Sequence, residues 1–222
     1  MRPGLSKDGS VHVTDEVYNT RISSLGALLA LFGVAHLLWR SYAIGSFIHA
    51  LSFLVYGFGV LSVFVSSALH HGVNGSPRTN WILRQLDYFA IFLMIAGTFT
   101  PLCLLFVKSR LGVHVLELVW ALAVVSIASK AIYPALPKWV TLAMALGMGW
   151  SGLLLVGPVY ASIHLSGVIA LATGGLFFTG GGIIFGLEKP NPFPGRFGFH
   201  EIWHSCVLAG AASHFSIMYA AF

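Results

Sequence analysis

Two histidines four residues apart, in the segment His200-Glu-Ile-Trp-His204, are the strongest candidate metal ligands in the sequence. On an α-helix, side chains four positions apart lie on one face at about 5–6 Å, so both imidazoles could bind one ion. His71 is the predicted third ligand, and Ser67 shares its helix face by the same spacing. Three protein ligands with an open fourth position describe a catalytic zinc site. The sequence therefore predicts Zn²⁺ bound by His71, His200 and His204.

Asp87 is the predicted proton acceptor of this site, because it lies about one turn into the following apolar segment. A carboxylate there could hydrogen-bond the water that such a metal binds, or it could orient a ligand. Ser67 would lie close by and could orient water or substrate. We therefore predict Asp87 and Ser67 as the catalytic residues.

Two other interpretations of the histidines remain open. His200-Glu-Ile-Trp-His204 also fits the HExxH pattern of metalloproteases, in which Glu201 would be the general base, although Glu201 could equally cap the helix start. The histidines could instead form hydrogen-bonded links between helices in the bilayer. His70 is turned by about 100° from His71 on a helix, which predicts that it is not a ligand.

The composition identifies the class of protein. Of the 222 residues, 57% are hydrophobic and only 9% are charged, and the mean hydropathy is +0.84. Soluble domains have roughly 25% charged residues, so a soluble domain is excluded. The net charge of +5 is spread over short loops without a basic run, which argues against nucleic-acid binding. The polar N-terminus also predicts that no signal peptide is cleaved.

Apolar segments long enough to cross about 30 Å of hydrocarbon recur along the chain. They predict an all-α polytopic membrane protein with seven transmembrane helices in one domain, residues 21–222, after a cytoplasmic tail of residues 1–20. The predicted spans are Ile22–Trp39, Gly45–Leu69, Ile82–Val107, Leu111–Ile132, Trp139–Val156, Ile163–Gly186 and Phe199–Phe222. Cys103 and Cys206 fall at different depths in these spans, so we expect no disulfide between them.

Basic residues in the loops predict the orientation, because cytoplasmic loops carry an excess of Lys and Arg. Nine lie in the N-terminal tail or near the second, fourth and sixth joints, against three on the opposite side. The nine are Arg2, Lys7, Arg21, Arg78, Arg84, Lys130, Lys138, Lys189 and Arg196, and the three are Arg40, Lys108 and Arg110. The N-terminus is therefore predicted to be cytoplasmic and the C-terminus outside, in a bacterial inner membrane.

Four pieces of the sequence resemble the hemolysin III family, which belongs with the progestin and adipoQ receptors and is distantly similar to the alkaline ceramidases. The pieces are Asp15-Glu16-Val-Tyr-Asn19, Ser67-x-x-x-His71, Leu86-Asp87-Tyr88 and the segment from Pro192 to His214. The resemblance implies seven helices and zinc bound by His71, His200 and His204. One departure concerns Ser23, which stands where many relatives have a histidine.

The leading functional hypothesis is a zinc-dependent membrane hydrolase that acts on a lipid, with an amide-linked, ceramide-like lipid suggested by the resemblance. The alternative is a receptor-like or membrane-perturbing protein in which the zinc is structural. A retinal protein is excluded, since the seventh span contains no lysine for a Schiff base. The sequence predicts a membrane lipid as substrate or ligand and indicates no protein partner.

Overall fold

Helices form nearly all of the described chain, which is residues 16–222 of a computed structural model. The predicted tail residues 1–15 lie outside the described part. The helices are α1 (Glu16–Ala43), α2 (Phe47–Gly72), α3 (Pro77–Pro101, extended by a π-helical segment Leu102–Val107), α4 (Arg110–Ile132), α5 (Lys138–Trp150, extended by a 3₁₀ segment Ser151–Leu155), α6 (Val156–Leu187) and α7 (Phe199–Tyr219). No β-strand occurs in residues 16–222, so the all-α prediction is confirmed for them.

The outer surface of this bundle is apolar, as a bilayer requires. Large side chains such as Phe32, Leu176 and Leu187 are 71%, 68% and 67% exposed. Soluble proteins rarely expose contiguous apolar patches on this scale. Five helical stretches are long and apolar enough to cross a membrane: α1, α2, α3 with its extension, α4, and the combined run of α5 and α6. The prediction of a multi-pass membrane protein is thereby confirmed.

Serine and proline residues define the joints on either side of α3. The Ser76 hydroxyl accepts a hydrogen bond from the Thr79 N–H, and Pro77 occupies the first helical turn, where its missing N–H costs nothing. After the π-helical segment, Lys108 adopts a left-handed conformation (φ 36°), and the Ser109 hydroxyl then caps α4. The short gap predicted between the spans Ile82–Val107 and Leu111–Ile132 agrees with this break.

The joint expected between the fifth and sixth spans, after Val156, is not a loop. Helix continues from Lys138 to Leu187, a run of 50 residues, and its backbone leaves helical geometry at Ile163 and His164. A straight helix of that length would extend about 75 Å. Yet Lys138 at its start forms an ion pair with Glu188, just past its end. The run must therefore double back on itself. The sequence predicted two spans here, which agrees with this reversal, but it placed the joint at residues 157–162, beside Gly157 and Pro158, just before the observed break at Ile163 and His164.

The two ends of the bundle bring different helix termini together. At one end, Glu16 at the start of α1 contacts His71 at the end of α2, which contacts His204 in the first turns of α7. At the other end, the Phe222 ring lies 4.8 Å from the Arg40 guanidinium and 5.6 Å from the His49 ring. α1 and α7 therefore run in the same direction, with α2 antiparallel to both.

α3 is the central helix of the bundle. Of its most apolar window, 78% is buried, compared with 17% to 44% for the other membrane stretches. Two glycines allow α2 to approach it closely: a Cβ on Gly59 would lie 2.6 Å from the Leu93 carbonyl oxygen, and one on Gly97 would lie 2.9 Å from that of Val55. This close contact fixes Asp87 on α3 relative to Ser67 and His71 on α2.

Candidate metal centre

The three predicted metal ligands come together at one end of the bundle. His71, His200 and His204 are all buried, and one ligating atom from each lies within 4.8 Å of the others. The His200 and His204 rings stack with centroids 4.9 Å apart, as the four-residue spacing predicts. Phe199 and Phe185 pack on the His200 ring at 5.8 and 5.4 Å. These residues could hold a metal ion, with α2 and α7 each contributing ligands.

Two of the imidazoles are oriented through their second ring nitrogen. His71 Nδ1 lies 2.5 Å from Glu16 Oε2, and His204 Nδ1 lies 3.4 Å from Ser67 Oγ. In metal sites, the ring nitrogen that does not bind the ion characteristically donates to a carboxylate or another oxygen, which fixes the ring and its tautomer. The arrangement leaves Nε2 of both rings directed at the centre.

The donor atoms fit a small cation. His71 Nε2 and His204 Nε2 are 3.1 Å apart, close to the roughly 3.3 Å that separates two nitrogens bound to a tetrahedral zinc at 2.0–2.1 Å. Because a carboxylate only accepts, His71 donates its Nδ1 proton to Glu16 and, when neutral, carries its lone pair at Nε2. If His204 is in the same tautomer, two lone pairs face each other, and a shared cation removes that repulsion.

Asp87 lies at the edge of this cluster, together with an unexpected neighbour. Ligating atoms of His70, His71 and Asp87 lie within 4.8 Å of one another, and Asp87 Oδ1 accepts a 3.4 Å hydrogen bond from Ser66. The sequence predicted that His70 is turned by about 100° from His71 and is not a ligand. Adjacent residues on a helix do diverge, but the His70 and His71 ring centroids are only 4.7 Å apart. His70 therefore borders the side of the centre that contains Asp87.

Ser67 occupies a buried position between α1 and α7. Its hydroxyl lies 2.9 Å from the Ser23 hydroxyl and 3.4 Å from His204 Nδ1. Ser23 is 1% exposed, so its hydroxyl is a buried partner of Ser67. The contact makes Ser67 a support for His204, in addition to its predicted place near the reacting groups.

Glu201 caps the start of α7. Its Oε2 accepts a 2.7 Å hydrogen bond from the Gly198 N–H at the start of α7, which agrees with the cap interpretation.

Asn19, one turn after Glu16 in α1, is fully buried, and its side-chain amide has no hydrogen-bond partner among the described residues. Sequence reasoning did not select Glu16 as the partner of His71. The signal that could have identified it was its place in the segment Asp15-Glu16-Val-Tyr-Asn19, three residues before Asn19.

An apolar cavity of about 310 Å³ begins at this cluster. Ser67, Asp87 and His204 line one end, and His214, which lies ten residues further along α7 and thus about 15 Å away, lines the other. Most of the remaining lining residues are aliphatic or aromatic. A mainly apolar cavity with a few convergent polar groups at one end is the usual form of a small-molecule site.

These features define a multi-pass helical membrane protein with a buried histidine cluster that could hold a metal ion. The chain belongs to the Haemolysin-III related family, whose model matches residues 11–215. It is 34% identical over 203 residues to a hemolysin-3 homolog of Bacillus subtilis (strain 168), covering 91% of this chain and 92% of that protein. It is 31% identical over 204 residues to hemolysin-3 of Bacillus cereus, covering 91% and 90%.

A more distant relative is heptahelical transmembrane protein 5 of Arabidopsis thaliana, which is 26% identical over 179 residues, or 72% of this chain and 46% of that protein. The resemblance seen in the sequence is thus confirmed. Members of the family are multi-pass membrane proteins, and the apolar helices are consistent with a bacterial inner membrane protein.

Proposed function

We propose that this protein is a zinc-dependent integral membrane hydrolase that cleaves a lipid, specifically an amide-linked, ceramide-like lipid. One observation carries the proposal: His71, His200 and His204 converge beside Asp87 at the polar end of an apolar cavity inside a membrane bundle. Neutral imidazoles are preferred zinc ligands, and three of them leave a coordination position for the reaction.

His71, His200 and His204 would hold the metal, with Glu16 and Ser67 fixing two of the rings. Bound zinc would supply Lewis acidity, lowering the pKa of a water molecule to about 7 and polarising the scissile carbonyl. The buried, aromatic surroundings of His200 strengthen the electrostatic interactions of the site.

Asp87 would act as the general base and then as the general acid. Its carboxylate accepts a proton from the attacking water as the new C–O bond forms. It then returns that proton to the amide nitrogen as the C–N bond breaks, which gives a fatty acid and an amine. The Ser66 hydrogen bond restrains the carboxylate during both steps. Ser67 would orient His204 and the substrate, because it has no adjacent base that would make it a nucleophile.

The walls of the cavity support a lipid substrate. Trp150, Leu153 and Leu176 line it and are also 49%, 62% and 68% exposed on the outer, bilayer-facing surface. An acyl chain could therefore remain among apolar side chains while its polar group lies at the histidine cluster. A water-soluble substrate would bind poorly in this cavity, because the polar groups of the substrate would find no hydrogen-bond partners on the apolar walls.

We further propose seven membrane crossings with the N-terminus in the cytoplasm. The Lys138–Glu188 ion pair supports counting the long α5–α6 run as two antiparallel crossings. α7 runs parallel to α1, which requires an even number of crossings before it. Six preceding crossings satisfy that requirement, and the loop charges favour placing the histidine cluster on the cytoplasmic side.

The second candidate is a receptor-like or membrane-perturbing protein with a structural zinc site. It is favoured by the approach of His70 and Asp87 to His71. If either side chain occupied the fourth coordination position, the site would be closed, as structural zinc sites are. The metal would then join α2, α3 and α7 without catalysis.

The test compares metal content with lipid hydrolysis in purified full-length protein. We expect about one zinc per chain in the wild type and none in His204→Ala, since two imidazoles rarely hold the ion. Asp87→Asn should retain zinc at saturating metal and lose roughly 10²–10⁴ in the rate of amide cleavage. His114→Ala, with a ring 73% exposed on α4, is the control and should change neither property.

Wild-type protein without stoichiometric metal would reject the metal site. Zinc-loaded protein that cleaves neither lipid amides nor esters would leave the structural candidate instead.

A further inference from the structure

A second recess of about 50 Å³, with charged residues in its lining, adjoins the apolar cavity beside the histidine cluster. The two share Asp87, Trp203 and three aliphatic residues as common walls. The recess also contacts His70 and His200, and it extends towards Arg84 and Lys138. A molecule with its chain in the apolar cavity and its headgroup in the recess would pass directly by the proposed metal ligands.

The polar and charged residues considered for this recess lie on one face of α3 and one face of α5. Arg84, Asp87 and Tyr88 follow the i, i+3, i+4 spacing on α3, and Lys138 and Thr141 follow the i, i+3 spacing on α5. A third cation, Lys130, lies behind the recess with its Nζ 4.4 Å from the Tyr88 ring centroid. Among the described residues that line the recess or pair with its lining, the carboxylates are Asp87 and Glu188, and Glu188 is paired with Lys138. Within that set of residues, three cations face two carboxylates.

Thr141 supplies an independent indication of a ligand. Its side chain is buried, with the residue 3% exposed, and its hydroxyl has no hydrogen-bond partner among the described residues. An unpaired hydroxyl in the interior costs about 1–3 kcal/mol, so such groups usually meet a partner in the working protein. An oxygen atom of a ligand in the recess would accept its proton.

We propose that the recess binds a phosphate group on the lipid substrate, with Arg84, Lys138 and Thr141 as its ligands. Arginine and lysine form charge-assisted hydrogen bonds with phosphate oxygens, and the threonine hydroxyl donates to a third oxygen. Lys138 and His200 lie at the starts of α5 and α7, and the ends of membrane helices are where a protein meets the headgroups of bilayer lipids. The inference rests on the proposed function, because it places the phosphate on the lipid that is cleaved there.

The experiment compares binding of two short-chain N-acyl lipids to zinc-loaded, detergent-purified full-length protein. One carries a phosphate monoester headgroup, and the other has a free hydroxyl in its place. The wild type should bind the phosphate lipid about 10-fold more tightly or better, which is the usual value of one or two charge-assisted hydrogen bonds. Arg84→Gln should remove most of this preference while zinc content stays at one equivalent.

Thr141→Val distinguishes a ligand from a structural residue. Because the hydroxyl has no protein partner, its removal should leave the melting temperature unchanged or raised, yet it should reduce the preference for the phosphate lipid. Arg78→Gln is the matched control, since Arg78 is an exposed cation on the same helix and does not line the recess. It should keep the full preference.

Equal binding of the two lipids by the wild type would overturn the inference, as would an unchanged preference in Arg84→Gln. A similar loss in Arg78→Gln would assign the effect to general surface charge and would also overturn it. Inorganic phosphate that binds as tightly as the phosphate lipid would indicate a free-phosphate site and reject the headgroup assignment. A phosphate preference without hydrolysis would reject the proposed hydrolase and support the recess; hydrolysis without the preference would do the reverse.

Discussion

Glu16 is the carboxylate that orients His71, and it does so from the first turn of the first described helix. Its side chain is 22% exposed, whereas the imidazole it contacts is fully buried. A carboxylate at this position raises the basicity of the other ring nitrogen and holds the ring in one orientation. At the scale of single residues, this contact links α1 to the histidine cluster.

Glu16→Gln should therefore weaken metal binding without unfolding the protein. We expect a loss of about 10–100-fold in zinc affinity, the usual effect of removing such an outer carboxylate, measured by competition with a chromophoric chelator. Glu117→Gln is a close control, because Glu117 contacts His114 Nδ1 in a pair that is about 70% exposed. An unchanged affinity in Glu16→Gln would show that the Glu16–His71 contact serves only to hold α1 in place.

The sequence predicted the clustering of His71, His200 and His204, because helical spacing and hydropathy are local properties. It did not predict the contact of Glu16 with His71, since that contact joins residues 55 positions apart. The position of His70 also escaped prediction. A helical projection gives the direction of a side chain from its axis, but the approach of α3 decides what lies there.

At the scale of the helices, glycines permit close packing at two places. In α6, a Cβ on Gly174 would lie 2.3 Å from the His214 ring and one on Gly181 2.6 Å from Cys206 Cβ, whereas Gly175 and Gly180 have nothing within 4 Å. Gly59 and Gly97 lie where α2 and α3 touch backbone to backbone. Glycine content alone does not reveal which face of a helix meets a neighbour.

Gly59→Ala should separate α2 from α3 and destabilise the protein, because the added methyl group would lie 2.6 Å from a carbonyl oxygen that cannot rotate away. Overpacking of this kind costs about 1–3 kcal/mol. A thermal melt in detergent should show a clear drop in the melting temperature. Gly180→Ala should leave it unchanged, since that position is open, and equal melting temperatures for the two variants would contradict the described α2–α3 contact.

At the scale of the whole molecule, the helices themselves were predictable because long apolar runs in a membrane can satisfy their backbone only as helices. The helix bounds follow the predicted spans within a few residues except at two places. α1 begins at Glu16, earlier than the predicted Ile22, because polar residues form its first turns. The joint predicted at residues 157–162 is helical, and the chain reverses just after it, at Ile163 and His164.

The predicted orientation is testable with reporters active on only one side of the membrane. A cytoplasmic fluorescent reporter should be active at the N-terminus and silent after Phe222, because the nine-to-three excess of basic residues retains the histidine end inside. A fusion after Ser46, in the joint between α1 and α2, should be silent as well. The opposite pattern would place the histidine cluster on the outer face.

α7 is missing from the stretches that are apolar enough to enter a membrane by composition, because His200, Glu201, His204 and His214 lie on it. During synthesis it is made long after α2, since His71 and His204 are separated by 133 positions. A ligand that binds only the assembled state stabilises it by about 2.7 kcal/mol at 100 times its Kd. Under the proposed zinc site, metal supply would thus influence how completely newly made chains mature, and starved cells would accumulate chains whose last helix is poorly inserted.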